Sequence, residues 1–315
     1  MKKLINLKYS DFIDNLQGTA MTNIALTERR NPATIDIDLM DSYQIAQAIN
    51  NEDKKIASAI EKILPQISQA IELIAQSFQK GGRLAYFGAG TSGRIGVLDA
   101  SECWPTFGVE HGMVCGFIAG GDRALRFSIE NSEDSAELAL ADLKTFAPTP
   151  DDIVVGISAN GGPRYVLTIL EEAQKLGCKT IGISSNPEAK LQKYSNIFIN
   201  PVVGEEAVTG SSRMKSGTAQ KMILNMLSTG AMIRIGKTYQ NYMIDVRMLN
   251  EKLLDRGCRF VSEIANIPYE DAQKYIELSG QNVKTACVMA IKHCSKEAAE
   301  QMLKQANGIL RKVIK

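Results

Sequence analysis

Five short apolar runs, separated by longer amphipathic segments, mark the middle of the chain. They lie at 84–88, 113–118, 152–157, 179–183 and 196–200. Each run is continuously apolar rather than alternating, which is typical of strands that helices cover on both faces. The segments between the runs have helical spacing. The pattern therefore predicts an α/β fold, a three-layer sandwich around a five-stranded parallel sheet.

Helical patterns flank this region on both sides. The first forty residues are polar, with turn signals at Asn31 and Pro32, and a helical pattern begins at Ser42. A long amphipathic stretch follows Asp53 and ends at 81–82, where two glycines stand. After the last apolar run we expect these helical segments: Met214 to Ile235, Val246 to Ala265, 269–279, 282–292 and 295–313.

The same patterns divide the chain into three predicted parts. Residues 1–52 form an N-terminal arm and helix, and 53–264 form the sheet domain. Residues 265–315 form a small C-terminal helical domain.

Composition narrows the class of function. The 315 residues carry a formal net charge of +1, so no field favours nucleic acid or an anionic membrane. The six cysteines form no C-x-x-C pair, and the two histidines are far apart. We expect buried free thiols, a cytoplasmic location and no metal site. No apolar run approaches the length of a membrane span.

Three of the predicted strands end in small, hydroxyl-rich loops. These are "GAGTSGR" (88–94), "GISANGG" (156–162) and "GISSNP" (182–187). Each precedes a predicted helix, whose free N–H groups and positive dipole end favour an anion. One such loop is more often an ordinary helix cap, but three at the same edge of a sheet predict a phosphate site. The candidate ligands from these loops are Gly90, Thr91, Ser92, Gly93, Ser158, Asn160, Gly161 and Ser184.

The first loop also has the G-x-G-x-x-G spacing of a dinucleotide-binding turn. A dinucleotide site needs an acidic residue about 20 residues further on, at the end of the second strand. Asp122 stands late for that role. Thr91 and Ser92 place hydroxyls inside the turn, where a sugar phosphate would use them. The spacing alone is weak, and the three loops together favour a phosphosugar over NAD.

Longer stretches carry a family resemblance. The three-loop pattern resembles the SIS (sugar isomerase) domain, a phosphosugar-binding α/β fold. "FGAGTSGRIGVLDASECWPTFG", "GEEAVTGSSRMKSGTAQKMILNMLSTG" and "NEKLLDRGC" are similar to the N-acetylmuramic acid 6-phosphate etherase family. The likeness runs from about Thr27 to the C-terminal helices. It implies a homodimeric cytoplasmic lyase, without cofactor or metal, that releases D-lactate and N-acetylglucosamine 6-phosphate during cell-wall recycling.

Two other classes share this fold. The glucokinase regulatory proteins bind sugar phosphates without catalysis, but they contain two SIS domains, and this chain has length for one. An aldose–ketose isomerase would need one base near C1 and C2 of the sugar. Both alternatives stay open at this stage, whereas a pair of active-site glutamates favours the lyase.

The resemblance assigns roles to two glutamates. Glu102 in "DASEC" corresponds to the family's proton donor, and Glu133 in "IENSEDS" to its second active-site glutamate. Glu130 and Asp134 compete for the place of Glu133, since residues three and four apart share a helix face. Two further candidates are Glu206, which would reach the sugar or carry a helix-terminal charge, and Lys215, which would balance the phosphate or face solvent.

The match has departures. The family's second loop reads small-Ser-Gly-Arg-Thr-Pro-Tyr, whereas this chain has "SANGGPRYV", with Gly162 in place and Arg164 displaced by two positions. Trp104 stands where a proline is usual. Distance raises a further difficulty, because Ser92 and Glu102 would lie about 15 Å apart on an unbroken helix. We therefore expect either an early helix end or a Glu102 that reaches into the site of a partner subunit.

Overall fold

A parallel sheet forms the centre of the molecule. The computed structural model describes residues 24–248 and 250–315. The strands of the sheet are β1 Leu84–Gly88, β2 Val114–Ile118, β3 Ile153–Ile157, β4 Lys179–Ile183 and β5 Ile197–Ile199. Their order is β2-β1-β3-β4-β5, and every neighbouring pair is parallel. All five predicted strands are confirmed, each to within a residue at either end.

Helices surround this sheet and continue beyond it. They are α1 Ser42–Glu61, α2 Leu64–Gln79, α3 Gly90–Phe107, α4 Arg123–Arg126, α5 Ala136–Phe146, α6 Arg164–Lys175, α7 Lys215–Arg234, α8 Glu251–Ala265, α9 Tyr269–Leu278, α10 Val283–Lys292, α11 Lys296–Gln305 and α12 Leu310–Ile314. A short antiparallel hairpin, β6 Thr238–Tyr239 and β7 Tyr242–Met243, lies between α7 and α8.

Both faces of the sheet are covered. Successive side chains of a strand point to opposite faces. Leu84 and Tyr86 join an apolar cluster with α1, α2, α3 and α7. Ala85 and Phe87 join a second cluster with α5 and α6. Burial on both faces is why the strands are continuously apolar, and the predicted three-layer sandwich is confirmed.

The long amphipathic stretch before the sheet is two helices rather than one. The first begins at Ser42, where Asp41 and Gln44 form a capping box. It ends at Glu61, and α2 starts at Leu64 after Ile63 has left helical geometry. Pro65 stands in the first turn of α2, where its missing N–H breaks no helical hydrogen bond. The proline thus explains the break.

Two later helix boundaries also differ from the prediction. The helix expected from Val246 begins at Glu251, because the Asn250 side chain accepts a hydrogen bond from Leu253 N and caps the first turn. The stretch 295–313 is two helices. Asn307 and Gly308 between them have φ of 53° and 71°, and left-handed backbone ends a helix.

The C-terminal helices have an apolar cluster of their own, which includes Val283, Cys287 and Leu303. The cluster also takes in Ile244 and Cys258, which precede the boundary expected at 265. The three-part division stays a prediction.

None of the helices in the described ranges is long and apolar enough to cross a bilayer.

Candidate active site

A cavity of about 450 Å³ opens at the carboxyl ends of β1 and β3. These strands are neighbours at the centre of the sheet, where the chain changes direction across it. Open α/β sheets bind ligands at such a switch point. The cavity is lined by Glu28, Ala89, Gly90, Thr91, Ser92, Glu133, Asp134, Ile157, Ser158, Ala159, Asn160, Gly162, Pro163 and Ser212.

The first loop supplies the start of α3. Gly90 has φ of 53°, in the left-handed region, and the next two residues present hydroxyls to the cavity. Ser92 Oγ also donates to Gln220 Oε1 at 2.9 Å, which ties α3 to α7. The first N–H groups of a helix have no partner inside the helix. This wall of the cavity therefore combines hydroxyls with free backbone donors, which suits an anion.

Gly93 lies behind the cavity rather than in its lining. A Cβ at this position would stand 2.6 Å from the Gly88 carbonyl oxygen and 2.6 Å from Ile118 Cγ1. Only a residue without a side chain fits between α3 and the ends of β1 and β2. The contribution of Gly93 is thus close packing that holds the first loop in place.

The second loop follows β3 and lines the cavity with Ser158, Asn160 and Gly162. Ser158 Oγ accepts from Gly161 N at 2.9 Å, which folds the loop tightly. Gly161 itself is outside the lining, and its φ of 76° together with 2.3 Å between a built Cβ and Ala189 Cβ excludes a side chain.

The third loop supports the second rather than the ligand. Ser184 is fully buried, and its hydroxyl donates to Ala159 O at 2.9 Å. Asn186 Nδ2 donates to Asn160 O at 3.1 Å. Of the three expected phosphate loops, the structure brings two to the cavity. Arg164 is exposed at the start of α6 and is not among the lining residues.

Glu133 reaches the cavity from the connection after β2. It lies with Asp134 in a 3₁₀ turn, Ser132–Asp134, that follows the left-handed Asn131. The Arg94 guanidinium fixes this connection to α3 by donating to Ala124 O and Leu125 O, at 2.7 and 3.0 Å. Asp134 lines the same cavity, whereas Glu130 lines an adjoining one of about 280 Å³ together with Glu133.

Glu102 lies on the protein surface, outside this cavity. The expectation of an early helix end is wrong, because α3 runs unbroken to Phe107 and Gly108 (φ 61°) caps it by donating to Trp104 O at 3.1 Å. Glu102 is exposed in a groove of about 340 Å³ between α3 and α7. Among the described residues, none lines both this groove and the cavity at the ends of β1 and β3.

A half-buried carboxyl, that of Asp99, lies one turn before Glu102. Asp99 accepts from Tyr86 Oη at 2.9 Å and from Ser228 Oγ at 3.1 Å. Burial raises the pKa of Asp99 to about 6, although both hydrogen bonds act in the opposite direction. Asp99 therefore carries a proton at higher pH than an ordinary aspartate.

Glu206 and Lys215 are buried and lie outside the cavity lining. Glu206 accepts from the N–H groups of Lys215 and Ser216, at 2.8 and 2.9 Å, so it carries the helix-terminal charge of α7. Lys215 Nζ bonds Glu52 Oε2 at 2.6 Å. The alternative that Lys215 faces solvent is wrong, since its ammonium pairs with a carboxylate inside the protein. The roles predicted for Glu206 and Lys215 in binding the substrate stay predictions.

Trp104, where the family has a proline, packs against two side chains that lie outside its own helix. Its ring stacks on His111 with centroids 4.7 Å apart, and the Arg247 guanidinium lies 5.1 Å from its centroid. These contacts account for a large aromatic residue at this position.

Within residues 24–248 and 250–315, no three His, Cys, Asp or Glu side chains are grouped to hold a metal ion.

Sequence reasoning missed two lining residues with polar side chains, Glu28 and Ser212. Both lie in segments read as turns, far along the chain from the glycine loops. Tertiary contacts bring them to the cavity. Asn31 Nδ2 donates to Glu205 O and Thr34 Oγ1 donates to Ala207 O, and these bonds join the segment of Glu28 to the segment before Ser212.

The strand order, the paired hydroxyl loops and the cavity between them define a phosphosugar-binding domain of the SIS class. Residues 66–174 match the model of the glucokinase regulatory protein N-terminal SIS domain. The chain is 49% identical over 289 residues to an N-acetylmuramic acid 6-phosphate etherase from Pectobacterium atrosepticum, with 92% of this chain and 95% of that protein covered. It is 52% identical over 283 residues to one from Glaesserella parasuis, with 90% and 93% covered. The chain belongs to the N-acetylmuramic acid 6-phosphate etherase family.

A solved structure is also similar in backbone. A phosphoheptose isomerase from Francisella tularensis matches 61% of this chain and 98% of its own, at 19% identity and a TM-score of 0.48.

Proposed function

We propose that the protein cleaves the lactyl ether of N-acetylmuramic acid 6-phosphate, giving N-acetylglucosamine 6-phosphate and D-lactate. The observation that carries this function is a cavity in which two anion-binding loops meet a carboxylate, Glu133, in a chain of this family. The loops bind the phosphate, which takes no part in bond breaking. Their binding energy orients the reacting carbons instead.

The chemistry starts from the open-chain sugar. Its C1 aldehyde makes the C2 proton acidic, and a base removes that proton. The C3–O bond then breaks, an acid protonates the departing lactate oxygen, and a C2–C3 double bond forms. Water adds its oxygen at C3 while a proton returns to C2. Water is therefore consumed, and the carbon skeleton of the sugar is unchanged.

We assign the C2 proton to Glu133, since this carboxylate lies in the cavity itself. Glu102, the proton donor that the resemblance implies, acts on the departing lactate. One carboxyl removes a proton while another supplies one, and the roles reverse during hydration.

Glu102 of one subunit acts in the cavity of a second copy. Two features support this assignment: the continuous helix that separates Glu102 from Ser92, and the exposure of Glu102 in its groove. The protein is then a homodimer whose symmetry completes both sites. We place the reaction in the cytoplasm, a reducing compartment that suits six free thiols, four of them buried.

Release of D-lactate tests the function. Pure protein is incubated with N-acetylmuramic acid 6-phosphate, and lactate is measured with a D-specific dehydrogenase. Lactate and N-acetylglucosamine 6-phosphate should form in equal amounts. A protein that binds the phosphosugar without releasing lactate would instead be a sensor. The match to a domain of the glucokinase regulatory protein is the observation that favours this alternative.

A further inference from the structure

The N-terminal arm, residues 24–41, forms a wall of the cavity that neither glycine loop supplies. Glu28 is the arm's residue in the lining, where it stands with Thr91 and Ser212. Its carboxylate faces the loop before α7, since a Cβ built on Gly210 would lie 3.0 Å from Glu28 Oε2. A segment remote from the sheet thus brings a charged group to the site.

Two hydrogen bonds hold the arm against the segment before α7, and a third closes a turn within the arm. Asn31 Nδ2 donates to Glu205 O at 3.1 Å, and Thr34 Oγ1 donates to Ala207 O at 2.8 Å. Glu28 N donates to Ala25 O at 2.8 Å, which closes the 3₁₀ turn that carries the side chain. Thr27 and Thr34 are buried. The position of Glu28 is therefore set by tertiary structure rather than by a freely moving tail.

The Glu28 carboxylate forms no ion pair with any of the described residues. In the described part of the chain, no Lys, Arg or His nitrogen lies within 4.0 Å of it. The hydrogen bond it accepts from Thr27 Oγ1 is long, at 3.4 Å. A carboxylate accepts several hydrogen bonds, and Glu28 is an exposed residue of the cavity lining, so its carboxylate has acceptor capacity left for a ligand.

The cavity therefore combines two opposite preferences. The β1 and β3 loops supply donors for an anion, whereas Glu28 repels an anion and accepts from donors. A sugar phosphate satisfies both, because its phosphate accepts hydrogen bonds and its hydroxyl groups donate them. We infer that Glu28 contacts the substrate, accepts a hydrogen bond from a sugar hydroxyl, and makes the cavity select a phosphosugar over inorganic phosphate. This role rests on the proposed function for the identity of the sugar.

Binding measurements test the inference independently of turnover. Titration calorimetry compares N-acetylglucosamine 6-phosphate with inorganic phosphate on the wild type, Glu28→Ala and Glu28→Gln. Loss of a charge-assisted hydrogen bond should weaken phosphosugar binding at least about tenfold in Glu28→Ala, or about 1.4 kcal/mol. Phosphate binding should be unchanged or tighter, since a negative charge has been removed. Glu28→Gln keeps an acceptor and should lie between the two.

Asp38→Asn is the matched control. It also turns a carboxylate of the arm into an amide, but Asp38 is exposed and outside the cavity lining. It should bind both ligands as the wild type does.

Phosphosugar binding within about twofold of the wild type in both Glu28 variants would overturn the inference. So would equal weakening of phosphosugar and phosphate. If Glu28→Ala does not fold, Glu28→Gln decides the question alone. A wild type that binds the phosphosugar but releases no lactate would contradict the proposed function and leave this comparison valid.

Discussion

Glu52 and Lys215 form a buried ion pair across 163 residues of sequence, with Nζ 2.6 Å from Oε2. Their side chains are 3% and 1% exposed. Burial alone would raise the pKa of Glu52, but hydrogen bonds from Lys215 and Lys55 outweigh it and lower the pKa to about 2. The pair joins α1 to the first turn of α7, directly after the loop that carries Ser212. It is a structural link between these two helices.

Removing one partner of this pair should destabilise the fold. Glu52→Gln leaves the Lys215 ammonium buried without its counter-charge, and such changes cost about 3–5 kcal/mol. Urea unfolding followed by circular dichroism measures the difference. Lys55 also contacts Glu52 but is 56% exposed, so Lys55→Met should cost less than about 1 kcal/mol. Equal effects of the two substitutions would contradict a special role for the buried pair.

Asp99 should make stability fall as pH rises. Its pKa is raised from 3.8 to about 6 in the folded protein, so between these values the folded state holds a proton that the unfolded state has released. Stability therefore decreases with rising pH across this window, by up to about 3 kcal/mol. Asp99→Asn has no proton to lose. The difference in unfolding free energy between variant and wild type, measured from pH 4 to pH 7, should move in favour of the variant. A constant difference would show that Asp99 titrates normally.

Gly93 should tolerate no side chain. A methyl group there would meet Gly88 O and Ile118 at 2.6 Å, and overpacking of this kind costs about 1–3 kcal/mol. Gly93→Ala should unfold at lower urea and bind N-acetylglucosamine 6-phosphate more weakly, because the start of α3 must shift. Gly162 has open space around its Cβ position, so Gly162→Ala should unfold as the wild type does. Normal stability in Gly93→Ala would contradict the packing argument.

Two inactive variants should restore activity together. If Glu102 acts in the partner's cavity, a hybrid dimer of Glu102→Gln and Glu133→Gln subunits contains one site with both glutamates intact. The hybrid should then release lactate at about half the wild-type rate, and an unfractionated random mixture at about a quarter. Co-expression with two affinity tags isolates the hybrid. An inactive hybrid would place both glutamates in the cavity of the same subunit.

The sheet was predictable because strands buried on both faces must be continuously apolar, and β1 and β3 are. The two loops that line the cavity were predictable because the small and hydroxyl residues Gly90, Thr91 and Ser92 are recognisable within a few residues of sequence. Helix ends were less predictable, since they depend on single capping residues such as Asn250. Glu28 and the Glu52–Lys215 pair depend on contacts across more than 150 residues, for which the local sequence has no signal.

The origin of the oxygen atom at C3 of the product tests elimination and hydration most directly. The reaction is run in water labelled with ¹⁸O, and both products are analysed by mass spectrometry. The account predicts label at C3 of N-acetylglucosamine 6-phosphate and an unlabelled hydroxyl in D-lactate, since the C3–O bond breaks and water adds to the sugar. Label in the lactate hydroxyl, or no lactate at all, would contradict it.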